Sequence, residues 1–307
     1  MTDGTKSRRV DIDPSLLPTF LAVVQQRTVS AAALTLNISQ PAVTARINRL
    51  EESVGVALFE RSVRGVEPTA AARRLEGYAR SIQSLLDQAA TSVNTQTEAL
   101  GALSIVASTT IAGHVLPSLL ARFRARYSQV PLSLTVANTK DVIAAIKQRQ
   151  HHLGLVEGHG RAAGVRLVPF VDDELVPMIG RATRHTFART SDLASLALLW
   201  RERGSGTRAV LARAFRDAGL PSKPRPTDIV LGSTEAIIGA AAAGLGVAFL
   251  SRWSARAQIN SGGLRPIPGL DFVVRRSFRW AMPAGGLSPS AARFHAVASE
   301  SPPSHVA

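Results

Sequence analysis

The 307-residue chain reads as an α/β protein with a small, mainly helical head, a long linking helix and a larger two-lobed part. Three observations predict this. Apolar residues recur at helical spacing through 16–54, one amphipathic pattern continues from about 70 to 97, and beyond 98 strand-like runs alternate with helix-like ones. The expected divisions are a disordered tail over 1–13, a head over 14–69, a linker helix over 70–97 and the larger part over 98–307. Within the last, lobe I takes about 98–172 and 268–300, and lobe II about 173–267.

Composition narrows the class. Hydrophobic residues make up 45% of the chain and cysteine is absent, which excludes disulfides and thiolate chemistry and fits a reducing compartment. Residues 1–13 have no apolar core of the signal-peptide kind. The longest apolar run, "AIIGAAAAGLGVAFL", has 15 residues and three glycines, short of a spanning helix. The expectation is a cytoplasmic protein without membrane contact. Of the net +14, residues 1–97 carry only +2, from 11 Lys and Arg against 9 Asp and Glu. The excess therefore favours polyanions in general without locating a DNA site.

The head is built from three helices. Leu16, Leu17, Phe20 and Val24 form the stripe of the first, and Ser30 is the expected N-cap of the second, whose inner face is Ala32, Ala33 and Leu36. Asn37 and Ile38 make the turn. Ser39 caps the third helix, with Pro41 in its first turn, where no N–H is missed. On that helix Val43, Ile47, Leu50 and Val54 fall within about 60° of one another and form the buried side. Pro41, Thr44, Ala45, Asn48 and Arg49 face outward, with Gln40 at the leading edge. A tight turn followed by a helix showing an amide, a hydroxyl and arginines describes a helix-turn-helix, because a major groove offers partners to each group. An ordinary three-helix packing unit with a solvated face is the alternative. "LFERSVRGVEPT" then reads as strand, turn and strand, with Arg61 and Arg64 beside Gly65: a basic wing.

The stretch "AAALTLNISQPAVTARINRLEESVGVALFERSVRGVEPT" resembles the winged helix-turn-helix signature of LysR-type transcriptional regulators, nearly without gaps over 16–69. Ala45 stands where many members carry Arg or Lys, Pro68 where Leu is usual and Ala72 where Gly is usual. The resemblance implies that Gln40, Pro41 and Thr44 face bases. It also implies that Ser30, Ser39, Arg46, Arg49, Arg61 and Arg64 hold phosphates or the groove wall. Arg46 and Arg49 have an alternative, pairing within the helix with Glu51 or Glu52. Further implied are double-stranded promoter DNA with dyad symmetry, a homodimer or homotetramer, RNA polymerase as a further partner, and no cofactor.

Thr69 caps the linker helix, whose stripe is Leu75, Tyr78, Ile82, Leu85, Ala89 and Val93. A stripe between two domains needs a partner: an identical helix, as the resemblance implies, or the chain's own effector part.

Beyond 98, "GALSIVAS", "PLSLTVAN", "HLGLVE", "ELVPMIG", "LALLW", "DIVLG" and "GVAFLS" read as strands among helices, which argues for parallel sheets. The chain crosses near 169–175 and returns near 268–282, similar to the periplasmic-binding-protein-like domain of the same family. Ligands in such folds sit beyond the strands' carboxyl ends, here between the lobes. One strand is expected to end in Ser108, Thr109 and Thr110 just before a helix, another at Ser205, Gly206 and Thr207. Glycines admit close backbone approach, hydroxyls donate, and helix N-termini favour negative charge. A small anion held by Ser108, Thr110, Ser205 and Thr207 is the expectation, with Asn138, Thr139 and Thr234 lining the cleft; helix capping is the alternative. "RERGSGTR" and "LGSTEAIIGAAAAGLGVAFLS" are similar to the family branch governing sulfur assimilation or carbon fixation, which implies sulfate-like, phosphorylated or carboxylate effectors.

Catalysis is not expected. Ser205 is flanked directly by glycines, unlike a G-x-S-x-G elbow, and phosphate-loop and dinucleotide signatures are absent. His151, His152, Glu157 and His159 are scattered over strand and loop, so no metal site is expected.

Overall fold

The structure, a computed structural model, describes residues 11–62, 65–93, 100–158, 162–183, 190–267, 270 and 272–303; the side chains of 61, 84, 87, 88 and 90–93 lie outside the description. The expectations for Arg64, His159, the tail before residue 11 and the side chains of Arg61 and Val93 therefore lie outside it. The chain divides into two compact units, one of Met1–Thr97 with Gln148–Gln150 and one of Glu98–Lys147 with His151–Ala307.

In the first unit a 3-10 turn (Pro14–Leu16) leads into α1 (Leu17–Gln26), α2 (Val29–Leu36) and α3 (Gln40–Val54). The chain reverses at Arg27 (φ 60) and Asn37 (φ 53), both left-handed. The cap of α2 differs from expectation. Thr28, extended at φ −141, accepts from the Ala31 N–H at 3.2 Å, so Ser30 lies one residue inside the helix and is exposed. The left-handed Arg27 sets this start, and nothing in the local pattern marks it. Ser39 caps α3 as expected, accepting from the Ala42 N–H. Phe20, Val23, Ala33, Val43 and Leu50 meet in the core.

Strands β1 (Phe59–Ser62) and β2 (Gly65–Pro68) pair antiparallel. Gly65 has φ +128, and a Cβ there would lie 2.4 Å from the Arg27 carbonyl oxygen. The Val66 N–H donates to that oxygen at 2.9 Å. Only glycine lets the wing lie this close to the α1–α2 turn. Thr69 accepts from the Ala72 N–H at 3.2 Å and opens α4 (Ala70–Val93). The stripe of α4 divides. Leu75 and Ile82 join Ala72 and Ala79 on the head's own core, a partner not foreseen, while Tyr78, Leu85 and Leu86 are exposed.

The second unit runs β3 (Leu103–Ser108), α5 (Thr109–His114), α6 (Leu116–Arg126), β4 (Leu132–Ala137), α7 (Thr139–Lys147) and β5 (Leu153–Glu157). It continues through β6 (Val165–Gly180), a 3-10 stretch (Thr190–Ser195), β7 (Leu198–Arg201), α8 (Gly206–Asp217), β8 (Ile229–Leu231), α9 (Thr234–Ala242) and β9 (Val247–Ser251). It closes with α10 (Arg252–Asn260), β10 (Leu264–Pro266), β11 (Val274–Pro283) and α11 (Pro289–Glu300). Among the described residues the strands form one path, β4-β3-β5-β11-β6-β9-β7-β8, with β10 on β6.

The expected parallel pairs occur within each lobe, β4-β3-β5 and β9-β7-β8. The joins are antiparallel, because the long strands β6 and β11 run through both lobes. Each lobe keeps its own core: Ile105, Leu155, Trp280 and Phe294 in one, Trp200, Phe215 and Phe249 in the other. Among the described residues no helix is long and apolar enough to cross a membrane.

Candidate functional site

On α3 the burial pattern separates two faces. Val43, Ile47 and Leu50 are buried, whereas Gln40, Pro41, Thr44, Ala45, Asn48 and Arg49 are exposed. Ser39 is exposed as well, although its hydroxyl is engaged in the cap. Arg46 donates from Nη1 to Thr19 Oγ1 at 3.3 Å, which leans its stem toward α1. Arg49 reaches Asp13 at 3.5 Å with its side chain 70% exposed, a contact worth little in water. Neither arginine pairs with Glu51 or Glu52. Glu51 instead accepts the Leu58 and Phe59 N–H groups at 2.6 and 3.1 Å, tying the end of α3 to the start of the wing. The sequence reading missed this tie and the Thr19 contact. The result is a rigid ledge of short polar side chains.

In the second unit the expected effector residues fall into two groups. Thr139, Ser205 and Gly206 line an open cleft of about 1350 Å³ between α7 and α8. Asn138 accepts the Asp141 N–H at 3.1 Å, and the Lys140 N–H donates to the Gly204 carbonyl at 3.1 Å, so the lobes touch here. Ser205 caps α8 by accepting from the Arg208 N–H. A Cβ on Gly206 would lie 2.3 Å from the Glu157 carbonyl oxygen and 2.6 Å from Thr139 Oγ1. Lys140, Lys147, Arg203, Arg208, Arg213 and Arg275 surround the cleft, against the carboxylates Glu157 and Asp217. The first of these carboxylates is turned inward. Cationic side chains therefore outnumber carboxylates in the lining.

In the second group Thr110, Thr207 and Thr234 are buried, and Thr109 is half-buried beside them. Arg201, 5% exposed, donates from Nη1 to Thr109 Oγ1 at 2.8 Å and to Thr234 Oγ1 at 3.1 Å, while Glu202 pairs with its other edge. Thr109 and Thr110 stand in the first turn of α5 rather than ahead of it, since the helix begins directly at the strand's end. The remaining cavity beside Thr110, Thr207 and Thr234 is about 10 Å³, too little for a ligand. Ser108 is 3% exposed and its hydroxyl has no partner among the described residues.

At the centre lies an ion cluster that the sequence reading did not identify. Arg276 donates from Nη1 to Glu157 Oε2 at 2.9 Å and from Nε to Asp173 Oδ2 at 2.7 Å, all three side chains being almost wholly buried. Ser251 donates to the other Asp173 oxygen at 2.7 Å. Burial pushes the Glu157 carboxyl up, but Arg276, Thr207, Thr110 and Arg201 together outweigh it and hold the group at about 2. For Arg276 burial works against the charge, and the two carboxylates overcome it, so its pKa is raised. A signal existed. In "VVRRSFRW" the two-residue period puts Arg276 in phase with Val274, Phe278 and Trp280, an arginine on a core-facing side.

His151 and His152 are at the other end of β5 from Glu157. Ser104 holds both, Oγ lying 2.6 Å from His151 Nδ1 and the backbone N–H donating to His152 Nδ1 at 3.1 Å. Burial, then His152, lowers the pKa of His151. Among the described residues no group of acidic and histidine side chains is arranged to hold a metal.

Two family models match the chain. "Bacterial regulatory helix-turn-helix protein, lysR family" covers residues 14–73 and "LysR substrate binding domain" covers residues 96–302. The HTH-type transcriptional regulator CysL of Bacillus subtilis is 33% identical over 77% of this chain and 80% of its own. The HTH-type transcriptional regulator CbbR of Xanthobacter flavus is 33% identical over 83% and 79%. In fold, full-length CbnR crystallised with its target DNA aligns at a TM-score of 0.64 and 24% identity, over 93% of this chain and 98% of that one.

Proposed function

The chain belongs to the LysR family, and from that premise we propose that α3 reads one half of a twofold operator while the cation-lined cleft admits a small acidic effector. Its relatives are transcriptional regulators rather than enzymes, and the chain is a DNA-binding regulator with an effector-binding domain. The exposed ledge of α3 carries the DNA part of the reading. Gln40, Pro41 and Thr44 stand out from a helix whose other side is locked into the core. CbnR, which has this fold, was crystallised with its target DNA, and that supports the same use of the head. Ser30, Ser39, Arg46, Arg49, Arg61 and Arg64 would then hold phosphates or the groove wall. The exposed apolar residues of α4, Tyr78, Leu85 and Leu86, support a second copy packing there, as a dimer or a pair of dimers in the cytoplasm, and a dyad protein reads a dyad site.

For the effector, the open cleft is the only one of the expected positions with room for a ligand among the described residues. Its cations favour a carboxylate, sulfate-like or phosphorylated compound. Closure around it would shift the balance between two arrangements of the DNA heads, through unequal affinity for them. Binding of a fragment of the protein's own promoter at low ionic strength tests the first claim; failure to prefer it over random DNA would overturn it. Calorimetry with an anion panel tests the second. Tight binding of a cationic or wholly apolar compound in place of any anion would overturn that part.

A further inference from the structure

The position where the sequence points to an anion at the start of α8 is already taken by a carboxylate. Glu157, at the end of β5 in lobe I, extends its side chain to that point and is 3% exposed. Its Oε1 accepts the Thr110 N–H at 3.3 Å. Its Oε2 accepts the Thr207 hydroxyl from lobe II and Arg276 Nη1 at 2.9 Å. Arg276 Nη1 also donates to Thr207 Oγ1 at 2.8 Å. The same guanidinium keeps Nη2 buried with no acceptor among the described residues, so the donors exceed what Glu157 and Asp173 use. Backbone N–H, hydroxyl and guanidinium around one carboxylate are the elements of an anion site, here drawn from both lobes and the strand between them.

We propose that this is a carboxylate-binding site filled in cis, with Glu157 as a tethered occupant that fastens β5 to α8. The tether carries its own ligand at high effective concentration, so free small anions do not enter. The inner floor of the cleft therefore reads no charge, and the acidic group of an effector is met farther out by Lys140, Lys147 and Arg203. This last consequence rests on the cleft reading given above; the filled site itself does not.

Excision and replacement test the proposal. Glu157→Ala removes a CH2–COO group, whose free counterpart is acetate, and leaves Thr110, Thr207 and Arg276 in place. Thermal melts of the full chain are recorded in acetate, in acetamide, and in chloride at matched ionic strength. The site predicts that acetate raises the melting temperature of Glu157→Ala along a saturable curve. The gain corresponds to up to ~100-fold in the folding equilibrium at one hundred times the dissociation constant. Acetamide gives no comparable rise, and neither the native protein nor Glu157→Gln, whose space stays filled, responds to acetate beyond the chloride control. If Glu157→Ala does not fold in chloride, recovery of folded protein by refolding in acetate is the readout. An absent acetate effect, an equal effect of acetamide, or an equal rise in native protein or Glu157→Gln would each overturn the proposal. None of these readouts involves DNA or an effector, so a failure of the function proposed above would leave the result standing.

Discussion

Replacing Arg276 by methionine strips the cation from the centre of the effector domain while keeping an apolar stem over Phe278, above whose ring the guanidinium now sits at 5.1 Å. Glu157 and Asp173 then face each other's field in a site that water does not reach. Breaking a buried pair from one side costs about 3–5 kcal/mol, because the partner charge stays buried and unpaired. The pH dependence gives an independent figure. In the native protein Glu157 is lowered from 4.5 to about 2, which corresponds to stabilisation on the order of 3 kcal/mol. That contribution is fully present above pH 4.5 and is lost as pH falls through about 2. Without Arg276 the strongest influence opposing burial is gone, so the Glu157 carboxyl rises from about 2. The folded variant then binds this proton at higher pH than the native protein does, so it loses less stability on acidification from pH 4.5 to 2 and the gap between the two narrows. All three tryptophans, Trp200, Trp253 and Trp280, belong to this domain, so urea melts followed by tryptophan fluorescence report on it alone. A variant within about 1 kcal/mol of native at pH 7, against the 3–5 expected, would refute the reasoning, as would a gap between variant and native that does not narrow on acidification.

Gln40→Ala or Thr44→Ala should cost about 1–3 kcal/mol at one base pair and relax specificity there, as measured by titration of operator variants. Arg64→Ala should weaken all sequences alike and reduce the salt slope by roughly 1; equal behaviour of the two kinds of variant would contradict the assignment. Gly206→Ala places a Cβ 2.3 Å from a backbone oxygen that has little freedom to move, so about 1–3 kcal/mol of overpacking is expected in urea melts. Calorimetry should show lost effector binding as the lobes are wedged apart, and unchanged binding would contradict that placement of the cleft floor.

The parts of the molecule legible in its sequence are those fixed by near neighbours. The Ser39 cap, Pro41 in the first turn and the spacing of Val43, Ile47 and Leu50 lie within fifteen residues and specify α3 almost unaided. Strand-and-helix alternation in the second unit is local in the same sense. The α2 cap was displaced because the left-handed Arg27 is held by tertiary contacts of the wing, through its carbonyl and Gly65. A separate short helix, α5, precedes α6 and takes in Thr109 and Thr110, and Val115 between the two still donates its N–H to the Ile111 carbonyl. Helices α10 and α11 carry mixed polar and small residues, and the buried side of α11 is small apart from Phe294 and Val297. The central cluster joins Glu157 to a residue 119 positions later. Only strand order brings such partners together, and the pairing of β11 with β5 and β6 is a property of the whole sheet. Hydroxyls at strand ends were visible as candidates, but whether they face a ligand or an internal carboxylate depended on that unseen partner.

Because the chain has no cysteine, one introduced thiol can carry an iron chelate that cleaves DNA nearby. Ala45→Cys places it on the exposed face of α3 without touching Gln40 or Thr44. On the protein's own promoter the account predicts cuts clustered in two major-groove segments, separated by about one helical turn, ~34 Å, or a multiple of it. Uniform or absent cleavage by folded, labelled protein at low ionic strength would contradict the claim that this face of α3 enters the duplex.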